Sequence, residues 1–328
     1  MNISSASTDY QMASNAKDKQ FYDSIYYWCN LIFLSLILFL GIGGNTFTIV
    51  VLNHRKLFNS SFRFLLTILA LSDLIHLFSR KLFEVLQLTI GFYDFWNRSL
   101  IACKIFPFIS TSTFKLSPWI LVVITVHRLI SVIKLLKAKD IITFRKTVMT
   151  SSVLFFVMTF QNSYLLIFKG MEGKLCVMLI KYRLTFGAAH YTLGVVMGTF
   201  SPFVIMIGCN IIIVAKMKSG EEFRNKTSVS KSNVSANSML TAITLAFGIL
   251  TIPFSLLLVA ERLFFKRIVL ANGIFDPFTN YTIYRFFYLA IRTMNLSNYS
   301  LNFVFYVISG KVFRNEVMRL IYCYKGNK

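Results

Sequence analysis

The chain has 328 residues, of which 55% are hydrophobic and only 15% are charged, and its mean hydropathy is +0.62. This composition excludes an ordinary soluble domain and predicts a helical protein that crosses a membrane several times. The net charge of +22 comes from basic residues scattered between apolar runs, so it indicates membrane topology and argues against nucleic-acid binding.

Residues 1–25 are polar and lack the apolar centre and cleavage site of a signal peptide, so we expect a short disordered tail. Seven apolar segments follow, and each is long enough to cross a bilayer as a helix. They cover residues 26–52, 63–90, 100–132, 147–168, 186–217, 239–263 and 281–308. We therefore predict an all-α membrane protein, with a seven-helix bundle over residues 26–308 and a short amphipathic helix and tail over residues 309–328.

The distribution of basic residues predicts the orientation of the bundle. Lysines and arginines are more frequent in the loops that lie inside if the N-terminus is outside. We therefore expect a multi-pass plasma-membrane protein with an extracellular tail at residues 1–25 and a cytoplasmic C-terminus. In this orientation the glycosylation sequons at Asn2, Asn97 and Asn280 lie on the outer side.

Three cysteines lie where their chemistry can be interpreted. Cys103 begins the third segment and Cys176 lies in the predicted outer loop between the fourth and fifth segments, where an oxidising exterior permits a disulfide bond between them. Cys323 follows a basic amphipathic stretch and is a candidate for S-acylation in the cytoplasm.

Charged residues inside the apolar segments indicate a functional interior. Asp73, His76, Arg80 and Glu84 follow the spacing i, i+3, i+7 and i+11, which predicts one stripe on a single helix face. Ionisable groups at membrane depth should face the interior of a bundle. Glu84 lies one turn from Arg80, so both an internal salt bridge and a ligand contact are open for this pair. The candidate ligand contacts are Arg80, Glu84, Lys115 and Arg292, and for Arg292 the structural alternative is an ion pair with Glu84.

Short motifs typical of one receptor family occur in order along the chain. They are Gly44-Asn45, Leu69-Ala70-Leu71-Ser72-Asp73, Cys103 with Arg128, Pro202, Phe247 with Pro253, and Asn302-Phe303-Val304-Phe305-Tyr306. The set resembles the rhodopsin-like, or class A, G protein-coupled receptors over nearly the whole chain. The run from Ser117 to Arg128 is most similar to invertebrate neuropeptide receptors of this family.

The resemblance implies a receptor that binds an extracellular peptide or small molecule and activates a heterotrimeric G protein. It assigns coupling and activation to His127, Arg128, Asn302 and Tyr306. It also implies a receptor kinase and arrestin as further partners, and the serine-rich loop 216–238 is suited to phosphorylation. The family further implies an allosteric sodium ion and no other cofactor. The matching residues are Asp73, Ser117, Asn298 and Asn302, whose carboxylate and neutral oxygens suit a hard cation.

The chain departs from the family pattern at positions that control switching. His127 stands where an acid usually precedes the arginine, and Thr251 stands where a tryptophan usually precedes the sixth-helix proline. Phe303 replaces the usual proline of the seventh helix, so we expect that helix to lack a kink.

Two other function classes fit parts of the pattern. A transporter or channel could line a path with the same charged residues, but the sequence contains no internal repeat. A chemosensory receptor for a small molecule is the second alternative. An enzyme is not expected, because the four histidines lack a metal-ligand spacing and no nucleophile and base occur together.

Overall fold

The computed structural model describes residues 3–54, 58–91, 97–134, 137–224, 241–260 and 277–326. The first span is part of the helix Ile3–Asn53, and the second joins Ser60–His76, the π-helical segment Leu77–Leu82 and Phe83–Ile90. The third span is Leu100–Ile133, and the fourth joins Phe144–Asn162 to Tyr164–Phe168. The fifth joins Ile180–Val195, the π-helical segment Val196–Phe200 and Ser201–Arg224, and the sixth is Thr241–Ala260. The seventh joins Pro277–Ser297 to Asn302–Ser309, and the helix Lys311–Gly326 follows it.

The predicted seven-helix membrane bundle is confirmed. Within the described ranges, six helices are long and apolar enough to cross a bilayer, with mean hydropathies between 1.4 and 2.3. The seventh is helical over nearly the predicted range. The predicted segment boundaries agree with these helices to within a few residues, except at the start of the first span and at both ends of the fifth.

The third span is the centre of the packing. It contacts the second, fourth and fifth spans, and its residues Ile120 and Ile124 are almost completely buried. The Ser99 side chain accepts a hydrogen bond from the Ala102 N–H and so satisfies one of the free donors at the start of this helix. Polar residues of the third span, such as Ser110, Lys115 and Thr125, are also buried, so this span brings polar groups into the interior over much of its length.

A β-hairpin covers one end of the bundle. Strand β1 (Lys169–Glu172) pairs antiparallel with β2 (Leu175–Met178), and Gly173 takes a positive φ of 62° in the turn. Cys176 of β2 is bonded to Cys103 at the start of the third span, with a sulfur–sulfur distance of 2.04 Å. This is the pairing that the sequence predicted, and it fastens the hairpin across the end of the bundle.

The segment expected to be a disordered tail is helical from Ile3 onwards, which corrects the sequence-based expectation. The polar composition of residues 1–25 favoured disorder, but no proline or glycine occurs before Gly41. With no helix breaker in this stretch, the helix of the first apolar segment extends toward the N-terminus.

The seventh span breaks despite the absence of the usual proline, so the expectation of an unkinked helix was wrong. Residues 298–301 form turns between Ser297 and Asn302. The Asn45 amide of the first span donates to the Tyr299 carbonyl at 2.9 Å, and the Ser300 hydroxyl donates to the Ile37 carbonyl at 2.9 Å. The Asn45 amide thus satisfies a carbonyl at the break, while the Tyr299 and Ser300 N–H groups donate to the Leu296 and Ser297 carbonyls within the turns, as a bilayer requires. The Ser300 bond additionally fastens the break to the first span.

Close packing of the first and seventh spans also depends on Gly41. A Cβ atom at this position would lie 2.6 Å from the Ser300 Oγ and 2.5 Å from Leu77 Cδ1. A larger residue would force the Leu77 and Ser300 side chains to shift, so glycine favours the close approach of the first helix to the break.

We expect Asn45→Ala to destabilise the protein, because the buried Tyr299 carbonyl would lose its donor, at a cost of about 1–3 kcal/mol. The measurement is the thermal unfolding midpoint of the purified protein in detergent. Asn53→Ala is the matched control, because the Asn53 amide donates within its own helix, to the Ile49 carbonyl at 2.8 Å, and has no bond to another span among the described residues. Equal losses in the two variants would show that Asn45 does not hold the break.

Candidate functional site

An open cavity of about 710 Å³ lies beneath the hairpin, between the second, third, fifth, sixth and seventh spans. Its charged lining residues in the described part of the chain are Arg80, Lys81, Glu84, Lys115, Lys169 and Arg292. Five of these side chains are basic and one is acidic. Aromatic rings, among them Phe114 and Tyr288, form the remaining walls together with hydroxyl and amide groups. The cavity is therefore strongly basic and partly apolar.

The four predicted ligand contacts all line this cavity, but the predicted helix stripe is not regular. The π-helical segment Leu77–Leu82 inserts one extra residue into the turn and rotates the rest of the span. Consequently the side chain of Lys81 is buried, with 4% exposure, whereas Arg80 is exposed at the cavity edge. Lys81 is a site residue that the α-helical spacing missed.

Glu84 connects the second span to the seventh. Its Oε2 lies 3.1 Å from the Lys81 Nζ, and its Oε1 accepts a hydrogen bond from the Arg292 guanidinium. The structural alternative for Arg292 is thus present. Of the two possibilities left open for Glu84 and Arg80, the salt bridge is absent from the described residues, because the π-helical segment brings Lys81 to Glu84 instead. Two cations share one carboxylate, so this cluster keeps one net positive charge.

Lys115 is the second basic feature of the cavity. Its side chain is completely buried, and its Nζ donates to the Asn162 Oδ1 at 2.8 Å. The Asn162 Nδ2 in turn donates to the Met158 carbonyl at 2.6 Å. The partner of Lys115 is therefore a neutral amide, and none of the ion pairs in the described residues includes this lysine.

Lys169 of the hairpin adds a third basic position at the mouth. Burial, with a smaller contribution from the nearby Arg80 guanidinium, lowers the pKa of Lys169 from its usual value. An anion placed at the mouth would stabilise the charged form of Lys169 and so raise its pKa again.

A polar cluster lies deeper in the bundle, around the completely buried Asp73. The Asn302 Nδ2 donates to the Asp73 Oδ2 at 2.7 Å, which is a second link between the second and seventh spans. The Ser117 hydroxyl lies close enough to Asp73 to interact with the carboxylate, but within the described residues neither the Ser117 oxygen nor the Asp73 Oδ1 has a partner with regular hydrogen-bond geometry. Asn298 is also buried. A carboxylate and a hydroxyl oxygen without partners are atoms that a hard cation takes as ligands, so these residues fit the sodium ion that the resemblance implies.

Arg128 lies at the opposite end of the bundle. Its guanidinium carbon lies 4.6 Å from the centroid of the Phe62 ring, which is a cation–π contact. None of the ion pairs within the described ranges includes Arg128. Arg128 and His127 line a second cavity, of about 420 Å³. Tyr306 is buried and packs against Phe313 of the last helix, with ring centroids 5.5 Å apart.

The predicted modification sites are only partly described. The Asn97 Oδ1 accepts a hydrogen bond from the Cys176 N–H, and Asn97 lines the cavity mouth. Asn2 lies outside the described residues, as do the side chains of Asn280 and Cys323 and most of the loop 216–238. Their modification stays a prediction.

A comparison with protein families agrees with the motifs. The family model described as 7 transmembrane receptor (rhodopsin family) matches residues 44–306 of the chain. No curated protein matches the chain in a sequence search.

We expect Glu84→Gln to destabilise the protein, because Lys81 and Arg292 would then lie side by side without an anion. Breaking a buried ion pair costs about 3–5 kcal/mol, and we expect somewhat less here because the Glu84 side chain is 23% exposed. The thermal unfolding midpoint measures this effect. The double variant Glu84→Gln/Lys81→Met has one cation fewer and should regain part of the loss. A double variant no more stable than Glu84→Gln alone would contradict this electrostatic explanation.

Proposed function

We propose that the ligand of this chain is a neuropeptide that binds the cavity beneath the hairpin through an acidic group. The premise is that the chain belongs to the rhodopsin family of seven-transmembrane receptors. The family makes the chain a G protein-coupled receptor and a multi-pass protein of the plasma membrane, which takes an extracellular ligand and acts on a G protein. The rhodopsin family is a receptor family and not an enzyme family. Membership in it therefore also argues against the transporter or channel alternative.

The observation that carries the ligand proposal is the charge of the cavity. Five basic side chains and one carboxylate line it in the described residues. Desolvated cations without anions are costly, so a ligand with an acidic group or a carbonyl-rich end would gain free energy on binding. Ligand pockets usually measure about 300–1,000 Å³, and the 710 Å³ of this cavity suits a small molecule or the end of a peptide.

The orientation proposed for the chain places this cavity at the cell exterior. Disulfide bonds persist in oxidising compartments, and the Cys103–Cys176 bond lies at the cavity end of the bundle. The position of this bond supports an extracellular N-terminus. In the proposed orientation, Arg128 and the C-terminus lie in the cytoplasm, where the heterotrimeric G protein binds.

The proposed mechanism is an equilibrium between two helix packings that the ligand shifts by binding one of them better. The Glu84–Arg292 bond ties the second span to the seventh at the cavity. A ligand acid that pairs with Arg292 would weaken that tie and so favour a different packing. Arg128, His127, Asn302 and Tyr306 would form the part of the bundle that responds at the cytoplasmic end. Phosphorylation of the loop 216–238 by a receptor kinase, followed by arrestin binding, would then end the signal.

We also propose that Asp73, Ser117, Asn298 and Asn302 hold a sodium ion. The support is the pair of buried oxygens, Asp73 Oδ1 and Ser117 Oγ, that have no partner within the described residues. A bound sodium ion would neutralise the buried carboxylate and stabilise the packing in which these oxygens converge.

A screen of peptides and small molecules on cells that express the chain, with calcium and cyclic AMP readouts, tests the ligand class. An acidic small molecule that activates the receptor while all peptides fail would favour the chemosensory alternative.

For an identified agonist, Arg292→Ala should reduce potency at least tenfold, which is about 1.4 kcal/mol, because the acidic group would lose its cation. Arg285→Ala is the matched control. Arg285 lies on the same span but pairs with Asp23 and stacks on Tyr26, and it does not line the cavity. Unchanged potency in Arg292→Ala would mean that this arginine serves only the ion pair with Glu84.

Sodium chloride should lower agonist affinity relative to choline chloride in the native protein, since sodium would favour the inactive packing. Asp73→Asn removes the anionic ligand and should abolish this sodium effect. Radioligand binding at constant ionic strength measures both. Agonist affinity that is insensitive to sodium in the native protein excludes the site.

A further inference from the structure

The second cavity, at the Arg128 end, has a composition that the proposed function does not explain. It lies between the ends of the second, third and fourth spans, beside the short helix Ala138–Ile141. Among the described residues that line it, Arg128, Lys139 and His127 can carry positive charge, and none is acidic. Asp140 adjoins Lys139 in the sequence but is not part of the lining. The cavity thus combines about 420 Å³ of space with uncompensated cations.

Arg128 is positioned to bind an oxyanion. The Phe62 ring covers one face of its guanidinium group and fixes the plane of that group. A stacked guanidinium still presents its N–H donors at its edge, in a fork that matches two oxygens of one anion. Within the described residues, Arg128 has neither an acidic partner nor a hydrogen-bond acceptor for these donors.

Further donors surround the same space. Lys139 is exposed at its edge, and the hydroxyls of Ser60 and Ser61 line it from the first turn of the second span. That turn is the positive end of a long helix, in which the Asn59 Oδ1 accepts from only one backbone donor, the Phe62 N–H. An anion here would therefore meet side-chain cations, hydroxyl groups and a favourable helix dipole together.

We propose that this cavity binds a phosphate monoester group, which takes the place of the acid that is missing before Arg128 and holds the resting packing. A phosphate monoester carries a charge of about −1.5 to −2, which matches the two permanent cations Arg128 and Lys139. A carboxylate would leave one of them unpaired. The group can come from a phosphoinositide headgroup of the membrane or from a phosphate monoester in solution, and inorganic phosphate is a probe that offers similar terminal oxygens.

The binding part of the proposal is tested without any ligand for the outer cavity. The purified full-length chain in phosphatidylcholine nanodiscs should show a saturable rise in unfolding temperature with phosphatidylinositol 4-phosphate, with inorganic phosphate, or with both. Phosphatidylserine controls for negative charge at the membrane surface. A response to the lipid alone assigns the site to a headgroup, and a response to free phosphate alone assigns it to a soluble ion. No response to either, or an equal response to phosphatidylserine, overturns the proposal.

Variants then locate the site. Lys139→Gln should weaken the phosphate effect about tenfold, as the loss of one charge-assisted hydrogen bond predicts. Lys137→Gln is the matched control, because Lys137 has the same charge in the same loop and is exposed but does not line the cavity. Equal weakening by the two variants would overturn the assignment to this cavity.

The regulatory part rests on the proposed coupling to a G protein, and it has a separate readout. Phosphate should lower ligand-free nucleotide exchange on the G protein at the concentrations that raise the unfolding temperature. His127→Asp supplies an acid beside Arg128 within the chain, so it should lower basal exchange without phosphate and abolish any further phosphate effect. Phosphate binding in a native chain that shows no basal exchange even without phosphate would overturn the regulatory part and leave the binding site intact. If phosphate binds but basal exchange does not change, the proposal that phosphate holds the resting packing is overturned.

Discussion

The requirement that polar groups inside a bilayer find partners within the protein governs the whole structure. It explains why the break in the seventh span occurs beside Asn45 of the first span, whose amide satisfies the Tyr299 carbonyl. It also explains the neutral partner of Lys115, since the Asn162 amide can accept from the lysine and donate to a backbone carbonyl at the same time. Each polar contact between spans therefore has two effects: it removes an unsatisfied group and it fixes the relative position of two helices.

The same requirement makes the incomplete pairings informative. Glu84 is shared by two cations, Lys115 has only an amide, and the Asp73 Oδ1 has no partner within the described residues. A protein that satisfies nearly all its buried polar groups gains nothing in stability from these exceptions. Their concentration in and beneath one open cavity is typical of a binding site, where the missing partner comes from the ligand or from an ion.

The sequence predicted the fold well because long apolar segments have only one way to satisfy their backbone in a membrane. It placed the Cys103–Cys176 bond correctly and selected Glu84, Lys115 and Arg292, which all line one cavity. It missed Lys81, because α-helical spacing cannot anticipate the extra residue of a π-helical segment, although the i, i+3 spacing of Lys81 and Glu84 was a usable signal. It also expected a straight seventh helix, because a proline is visible in a sequence whereas partners on another helix are not.

The two links between the second and seventh spans lie on opposite sides of the break in the seventh. Arg292, which contacts Glu84, belongs to the segment before residues 298–301, and Asn302, which contacts Asp73, begins the segment after them. Turns lack the continuous hydrogen bonding of a helix, so the two segments are joined less rigidly than the residues within either one. Each segment is consequently anchored to the second span by its own bond. A change at the cavity link acts first on the outer segment, and the break and the Asp73–Asn302 bond connect that segment to the one that contains Tyr306. The polar cluster around Asp73 thus lies on the route by which the outer segment can influence the inner one.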